Sequence, residues 1–160
     1  MPGTPQGRDI NEAGPKSVSL VTIGDDLAVN VEERLTSIAQ FERLNLDVSR
    51  IEEWRDLLRA ATKVIERARQ NAVSEHAIFR LRLEGTSQLA FRIRRDADLA
   101  KAELDNIAAG VGRTWIETLE VACKLGPVED ASSNPIFELR DLIASDVIIS
   151  DVRTAGSFAA

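Results

Sequence analysis

The chain has one cysteine and one histidine among its 160 residues, and these two shortages exclude several classes of protein. A single Cys123 supports neither a disulfide framework nor a zinc site built on cysteines. A single His76 excludes every metal motif that needs two imidazoles. Long apolar runs are also missing, since none approaches the about 18 residues that a membrane span requires, and no secretory signal is recognisable. We therefore expect a protein of the reducing cytoplasm that has no membrane partner.

Basic charge is in short supply as well. The chain has 20 Lys and Arg against 26 Asp and Glu, which gives a formal net charge of −6. A free-standing nucleic-acid-binding domain usually carries a basic excess, so the overall balance argues against one. Apolar residues at 44% and charged residues at 29% are typical of a globular protein. The length indicates one folded domain.

The hydrophobic pattern predicts a β-hairpin followed by a β-α-β-α-β order. Apolar residues alternate on both sides of a Gly24-Asp25-Asp26 turn, which predicts a hairpin over residues 18–35. The further elements are expected as a strand at 44–48, a helix from an S-x-x-E capping box at Ser49 to residue 72, a strand at 79–84, a helix at 89–111 kinked near Asp96, and a strand at 115–123. Right-handed crossovers would place both long helices on one face of a mixed sheet. The expected fold class is therefore α+β, a two-layer sandwich with Trp54, Trp115 and Cys123 in its core.

Both ends of the chain differ from this central part. Residues 1–17 have no apolar period and indicate an extended linker that cannot anchor itself. Residues 126–160 indicate an acidic loop, a short helix around 136–145 and a tail that looks truncated. The expected organisation is a linker at 1–17, an α+β domain at 18–125 and an irregular end at 126–160.

A local cluster of arginines stands against the acidic background. Its members fall within sixteen residues of one another and are Arg80, Arg82, Arg92, Arg94 and Arg95. Each guanidinium can form a bidentate contact with a phosphate, so the cluster is a candidate nucleic-acid-binding surface. The alternative is a set of surface salt bridges with neighbouring carboxylates. Sequence alone leaves both interpretations open.

Other candidates for chemistry are weaker. Glu75 beside His76 could be half of an acid–base pair, although a residue at a strand edge is the simpler interpretation. Cys123 has no histidine near it in sequence, which favours a small core residue over a nucleophile. The segment 14–17 differs from a phosphate-binding loop because Pro15 interrupts it and a strand follows. We assign no catalytic residue and no metal ligand to the chain.

The N-terminal segment resembles a stretch of the SbcD-type DNA repair exonucleases, which are calcineurin-like metallophosphoesterases. Residues 2–16 run P-G-T-P-Q-G-R and then N-E-A-G-P-K into an L-V-T-I strand. The family has P-G-N/T-x-Q-G-R-H-x-x-E-x-G-x-K-G there. The matching positions of this junction motif are Gly3, Gln6, Gly7, Arg8, Glu12, Gly14 and Lys16. Asp9 replaces the usual His and Ser17 the usual Gly, and further similarity continues to about residue 123.

The resemblance implies a position and a role. In the family this segment follows the last metal-binding motif and leads into a C-terminal accessory domain. Residues 1–17 would then be the junction with a missing metallophosphoesterase domain, and the chain would be a fragment. The family's two divalent metals, typically manganese, would lie in that missing domain. Its histidine-containing motifs D-x-H, G-N-H and G-H-x-H cannot be assembled with one His.

The implied function is a DNA-positioning accessory domain of a metal-dependent double-strand-break repair exonuclease, without catalytic residues of its own. Its implied partners are DNA, the catalytic domain and a coiled-coil ATPase of the SbcC type. The first alternative is a protein-interaction module that makes no contact with nucleic acid. The second is a small enzyme that uses Glu75, His76 and a further carboxylate.

Overall fold

A computed structural model of the protein describes residues 4–126. The chain divides into two units after Gly126, and the described residues all belong to the first unit. The short helix expected around 136–145 and the acidic tail lie outside the described residues. The elements, in chain order, are a 3-10 turn Ile10–Glu12, β1 Ser17–Ile23, β2 Val29–Leu35, β3 Ala39–Asp47, α1 Trp54–Asn71, β4 His76–Glu84, α2 Ala90–Arg95, α3 Ala97–Val111 and β5 Thr114–Val121.

Two sheets make up the β structure. Strands β3, β4 and β5 form a parallel sheet in that order, because a helical crossover separates each strand from the next. Strands β1 and β2 form an antiparallel hairpin that is a sheet of its own, with Val21 opposite Val31. The α+β class is confirmed, and so is the hairpin followed by β-α-β-α-β.

The core lies between the parallel sheet and the two long helices. The buried positions of β4 alternate along the strand, as the twofold strand period requires, and are Ala77, Phe79, Leu81 and Leu83. Helix α1 contributes Leu57, Ala61 and Ile65 at steps of four, and α3 contributes Ala100, Leu104 and Ala108. Residues of both helices share one core cluster with those of β4, so both helices cover the same face of the sheet. Full burial of one large apolar side chain stabilises the fold by about 1.5–3 kcal/mol.

The capping box expected at Ser49 is absent. The backbone N and Oγ of Ser49 both donate to Asp47 Oδ1, at 2.9 and 2.6 Å, and Oγ accepts from the Thr86 amide at 3.1 Å. Helix α1 begins only at Trp54, and Glu53 caps it without a side-chain hydrogen bond. The prediction was wrong because Ser49 joins the ends of β3 and β4 instead.

The break near Asp96 is confirmed. Helix α2 ends at Arg95, α3 begins at Ala97, and Asp96 between them has φ −108° and ψ 34°. Helix α3 ends at Val111, and its C-cap residue Gly112 has a φ of +85°, a conformation that favours glycine.

The two tryptophans have different environments. Trp54 is half-buried and packs against the core, and Cys123 is fully buried, both as expected. Trp115 is 50% exposed on the opposite face of the sheet, so its expected core position is wrong. Phe79 pairs with Ile116 but Arg80 pairs with Thr118, which leaves one extra residue in β5. This β-bulge reverses the inward and outward alternation along β5. Leu119 and Val121 face the core, and continuing their alternation back through the bulge predicts the wrong face for Trp115.

Candidate nucleic-acid interface

The five candidate arginines occupy two separate surfaces. Arg80 and Arg82 project from β4 on the face of the sheet that the helices do not cover. That open face is a shallow depression of about 500 Å³ lined by Arg43, Asn45, Arg80, Arg82, Glu84 and Glu120. The other three arginines belong to α2, in the helical layer, and form what we call the α2 surface: Arg92, Arg94 and Arg95. The sequence cluster is thus divided in space.

The open face is electrically balanced. Arg80 makes a bidentate contact with Glu117, with both nitrogen–oxygen distances at 3.2 Å, and a longer one of 3.6 Å with Glu120. Arg82 lies opposite Glu120 in the strand register and contacts it at 3.5 Å. A phosphate would have to displace these carboxylates. The pairing favours the salt-bridge interpretation for Arg80 and Arg82, and exposed pairs of this kind contribute about 0–1 kcal/mol each.

On the α2 surface the arginines outnumber the carboxylates that pair with them in the described part of the chain. Arg95 holds Asp96 with two hydrogen bonds of 2.8 Å, and Arg92 approaches the same carboxylate at 3.8 Å. Arg94 donates to the backbone carbonyl of Cys123. Within residues 4–126, Asp96 is the one carboxylate in an ion pair with this surface, and it pairs with Arg92 and Arg95. A positive excess therefore remains on this surface.

The charges on α2 also shift two pKa values. Hydrogen bonding from Arg95, followed by the attraction of Arg95 and Arg92, holds the pKa of Asp96 below its ordinary value. The same hydrogen bonds raise the pKa of Arg95. Asp96 is therefore ionised at neutral pH, and it holds the guanidinium of Arg95 through two hydrogen bonds.

The junction motif forms a structured loop over residues 6–16, which we call the 6–16 loop. The Gln6 side chain accepts from the Ile38 amide at 2.7 Å and donates to the Ala39 carbonyl at 2.8 Å, so it caps the start of β3. Ile10 is buried at 2% exposure. The expectation that this segment cannot anchor itself is wrong, because one glutamine pairs with the β3 backbone and one apolar residue is enclosed.

The remaining motif residues shape the same loop. Glu12 accepts from the Arg8 amide at 2.9 Å, and a Cβ on Gly7 would lie 2.9 Å from the Glu12 carbonyl. Gly14 has φ +86°, and its amide donates to the Phe41 carbonyl at 2.9 Å. Lys16 Nζ donates to the Ala13 carbonyl at 3.0 Å. These contacts give the described motif residues a structural role, and Gly3 lies outside the described residues.

The acid–base pair considered at Glu75 and His76 does not form. Glu75 pairs with Arg113 at 2.7 Å. The His76 ring lies against Trp115, with ring centroids 5.3 Å apart, and within the described residues its buried Nδ1 has no hydrogen-bond partner.

Burial raises the pKa of the Cys123 thiol, despite the opposing charge of Arg94. Cys123 is therefore an inert core residue, as expected.

The family resemblance implies two divalent metals in a missing domain and none on this chain. Across residues 4–126, no group of three or more His, Cys, Asp or Glu side chains is arranged to hold a metal ion. Within the same range, no helix is both long and apolar enough to cross a membrane.

Comparison with known proteins identifies the family. The model of the family described as metallophosphoesterase YhaO, middle domain, matches residues 41–124, which is more than half of the chain. The chain therefore belongs to this metallophosphoesterase family. The match begins in β3 and ends just after β5, so it covers nearly all of the parallel sheet and helices α1, α2 and α3, but not the hairpin or the 6–16 loop. Neither a curated protein nor a solved structure matches the chain.

Proposed function

We propose that the chain is an accessory part of a metal-dependent DNA double-strand-break repair exonuclease of the SbcD type, and that it positions duplex DNA for a catalytic domain. The observation that carries the proposal is the match of residues 41–124 to the middle domain of a metallophosphoesterase. The junction motif at Gln6, Gly7, Arg8 and Glu12 supports the SbcD type.

The catalytic chemistry belongs elsewhere in this proposal. Two metals about 3.5–4 Å apart can stabilise the attacking and leaving oxygens of a phosphodiester, and manganese is the expected metal. His76 is the one histidine among the 160 residues, and its ring contacts Trp115. The metals would therefore be held by the catalytic domain. We further propose that the chain has a coiled-coil ATPase of the SbcC type as a partner and that it is located in the cytoplasm.

The α2 surface is the better of the two candidates for contact with DNA. Arg80 and Arg82 are matched by glutamates on β5, whereas Arg92 and Arg95 on α2 share the single carboxylate of Asp96. The Arg95 side chain is 61% exposed, so a phosphate can reach it and competes there with the one carboxylate of Asp96. Phosphate contacts through α2 would be independent of base sequence.

Salt dependence of DNA binding tests the proposal. In the double variant Arg92→Ala/Arg95→Ala, the slope of log K against log salt should become shallower by about 2, because each lost phosphate contact changes it by about 0.9. The matched control is Arg80→Ala/Arg82→Ala, which removes the same charge from the open face and should change the slope by less. Equal slopes for wild type and the α2 variant, or no binding of duplex DNA at low salt, would contradict a DNA-positioning role.

A second candidate function is a protein-interaction module without nucleic-acid contact. The ion pairs on the open face and the exposed apolar residues of the hairpin favour it. It predicts that DNA does not bind while a protein partner does. The salt experiment distinguishes the two functions directly.

A further inference from the structure

One aromatic side chain is exposed on α2, beside the arginines of the α2 surface. Phe91 is 64% exposed, whereas Ile93 on the same helix is fully buried. A helix makes one turn in about 3.6 residues, so Phe91 adjoins Arg94 and Arg95, which lie three and four positions further on. Residues 90–95 carry three arginines and no acidic residue. The outward face of α2 therefore combines one aromatic ring with positive charge.

An aromatic ring and a guanidinium group recognise different parts of a nucleic acid. Phosphate oxygens bind guanidinium groups, whereas the flat face of a base stacks on an aromatic ring. In a continuous duplex the faces of the bases are covered by their neighbours, so a ring outside the helix cannot stack on them. An unpaired base has a free face. Phe91 next to Arg95 therefore matches unpaired nucleotides better than it matches duplex.

The charge of α2 favours a nucleic-acid strand over an apolar protein surface. An apolar partner that covered Phe91 would also remove Arg92 and Arg95 from water, and their side chains are 49% and 61% exposed. Burial of a charged group without a matching partner is costly. A single strand avoids this cost, because every nucleotide offers a base for the ring and an anionic phosphate for a guanidinium.

We propose that the α2 surface binds unpaired nucleotides at a DNA end, with one base stacked on the ring of Phe91 and the adjoining phosphates held by the arginines beside it. This inference rests on the proposed function, which supplies DNA as the ligand, and it names the part of the DNA that α2 binds. A blunt duplex meets the arginines alone. DNA with a single-stranded overhang meets the arginines and the ring, and it should bind more tightly.

Three DNA probes with the same duplex part test the inference on the full 160-residue chain. One is blunt, one carries a single-stranded overhang of about ten thymidines, and one carries the same overhang without its bases. Fluorescence anisotropy of the labelled probes measures the affinities. The thymidine overhang should bind at least about fivefold more tightly than the abasic overhang, because the two differ only in the bases that can stack.

The variant Phe91→Leu keeps an exposed apolar residue but removes the aromatic face. It should abolish most of the preference for thymidine over abasic overhang and leave binding of the blunt and abasic probes unchanged. The slope of log K against log salt should also stay the same, since stacking releases no counterions. Phe91→Trp should restore the preference. The matched control is Leu99→Ala, which changes another exposed apolar residue, 52% exposed on α3, and should leave the preference intact.

Three results would overturn the inference. The first is equal affinity of the wild-type chain for the thymidine and abasic overhangs. The second is a preference that persists in Phe91→Leu. The third is an equal loss for all three probes in that variant, because the ring would then support the surface without contacting a base. Equal thermal unfolding of Phe91→Leu and wild type excludes a folding defect, as expected for an exposed residue.

Failure of the proposed function gives a different pattern. Blunt duplex that binds with a salt slope sensitive to Arg92→Ala/Arg95→Ala supports the proposed function, and a missing overhang preference would then overturn the present inference alone. A thymidine preference that Phe91→Leu removes, together with no binding of blunt duplex at low salt, would do the reverse. It would contradict the positioning of duplex DNA and leave the contact between Phe91 and an unpaired base intact.

Discussion

The guanidinium of Arg92 lies over the indole ring of Trp54, with Cζ 4.8 Å from the ring centroid. The same indole donates from Nε1 to Glu103 Oε2 at 2.7 Å. Trp54 is the first residue of α1, Arg92 belongs to α2 and Glu103 to α3. One side chain therefore connects three helices, and it holds one arginine of the α2 surface at a fixed place.

The first prediction concerns the hydrogen bond of that indole. Trp54→Phe keeps an aromatic ring but removes the Nε1 donor, and it should lower the free energy of unfolding by about 1–2 kcal/mol. The matched control is Trp115→Phe, which changes a half-exposed ring and should stay within about 0.5 kcal/mol. Urea unfolding followed by circular dichroism measures both. Equal losses would contradict the linking role of Trp54.

The second prediction concerns Gly85, which follows β4. Gly85 has φ +97°, and a Cβ there would overlap Asp47 Oδ1 and Ser49 Oγ. Gly85→Ala should therefore lower the free energy of unfolding by more than about 1 kcal/mol, because both the backbone conformation and the space disfavour it. Gly110 is helical and has open space around it, so Gly110→Ala should raise stability by about 0.5–1 kcal/mol. Thermal unfolding of the two variants should shift in opposite directions, and a shift in the same direction would contradict the strain at Gly85.

The third prediction is a pH dependence at Asp47. The side-chain and backbone hydrogen bonds from Ser49 hold the pKa of Asp47 below its ordinary value, and the charge of Arg50 adds a smaller effect. A carboxyl with a lowered pKa in the fold stabilises the protein above the pKa of the unfolded chain, about 3.9. This contribution is lost as the pH falls through the lower, folded pKa.

Carbon-detected NMR titration of the carboxyl groups measures this pKa. Ser49→Ala should raise the pKa of Asp47 toward its ordinary value, because it removes the hydroxyl hydrogen bond that contributes most to the lowering. Arg50→Ala is the control and should raise it less. An unchanged pKa in Ser49→Ala would mean that the Ser49 hydroxyl does not stabilise the carboxylate.

Local pattern was enough to predict most of the elements. Alternation around the Gly24-Asp25-Asp26 turn gave the hairpin, and steps of three and four gave the long helices and the break at Asp96. These elements depend on residues that are close together in sequence, so they can be predicted from a single sequence. The bulge at Phe79/Arg80 depends on pairing between strands, and for that reason Trp115 was assigned to the wrong face.

The candidate sites depended even more on distant contacts. The arginines of β4 meet glutamates 37 or 38 residues later in the chain, a pairing that only the parallel register of β4 and β5 creates. Gln6 likewise bonds to backbone atoms 32 and 33 residues away. The sequence showed which residues carry charge or amide groups, but the fold decides which partners they reach.

The last prediction concerns the 6–16 loop. A free arm would exchange its amide hydrogens at nearly the unfolded rate, because opening it costs close to nothing. Here the Gly14 amide donates to the Phe41 carbonyl at 2.9 Å and the Lys16 amide donates to Ser37 Oγ at 3.0 Å. Both amides should therefore be protected in the isolated chain, together with the Ile38 amide that donates to Gln6.

Gln6→Ala tests whether this glutamine holds the loop on β3. The substitution removes the acceptor of the Ile38 amide and the donor to the Ala39 carbonyl. Exchange at Ile38 should become at least about tenfold faster, which corresponds to about 1.4 kcal/mol of lost local stability. Gln70→Ala is the matched control, because Gln70 is an exposed glutamine on α1, and it should leave these amides unchanged. Nuclear magnetic resonance resolves each amide separately. Rapid exchange of Gly14, Lys16 and Ile38 in the wild-type chain would show that the loop is a free arm after all, and that its contacts with β3 do not persist in solution.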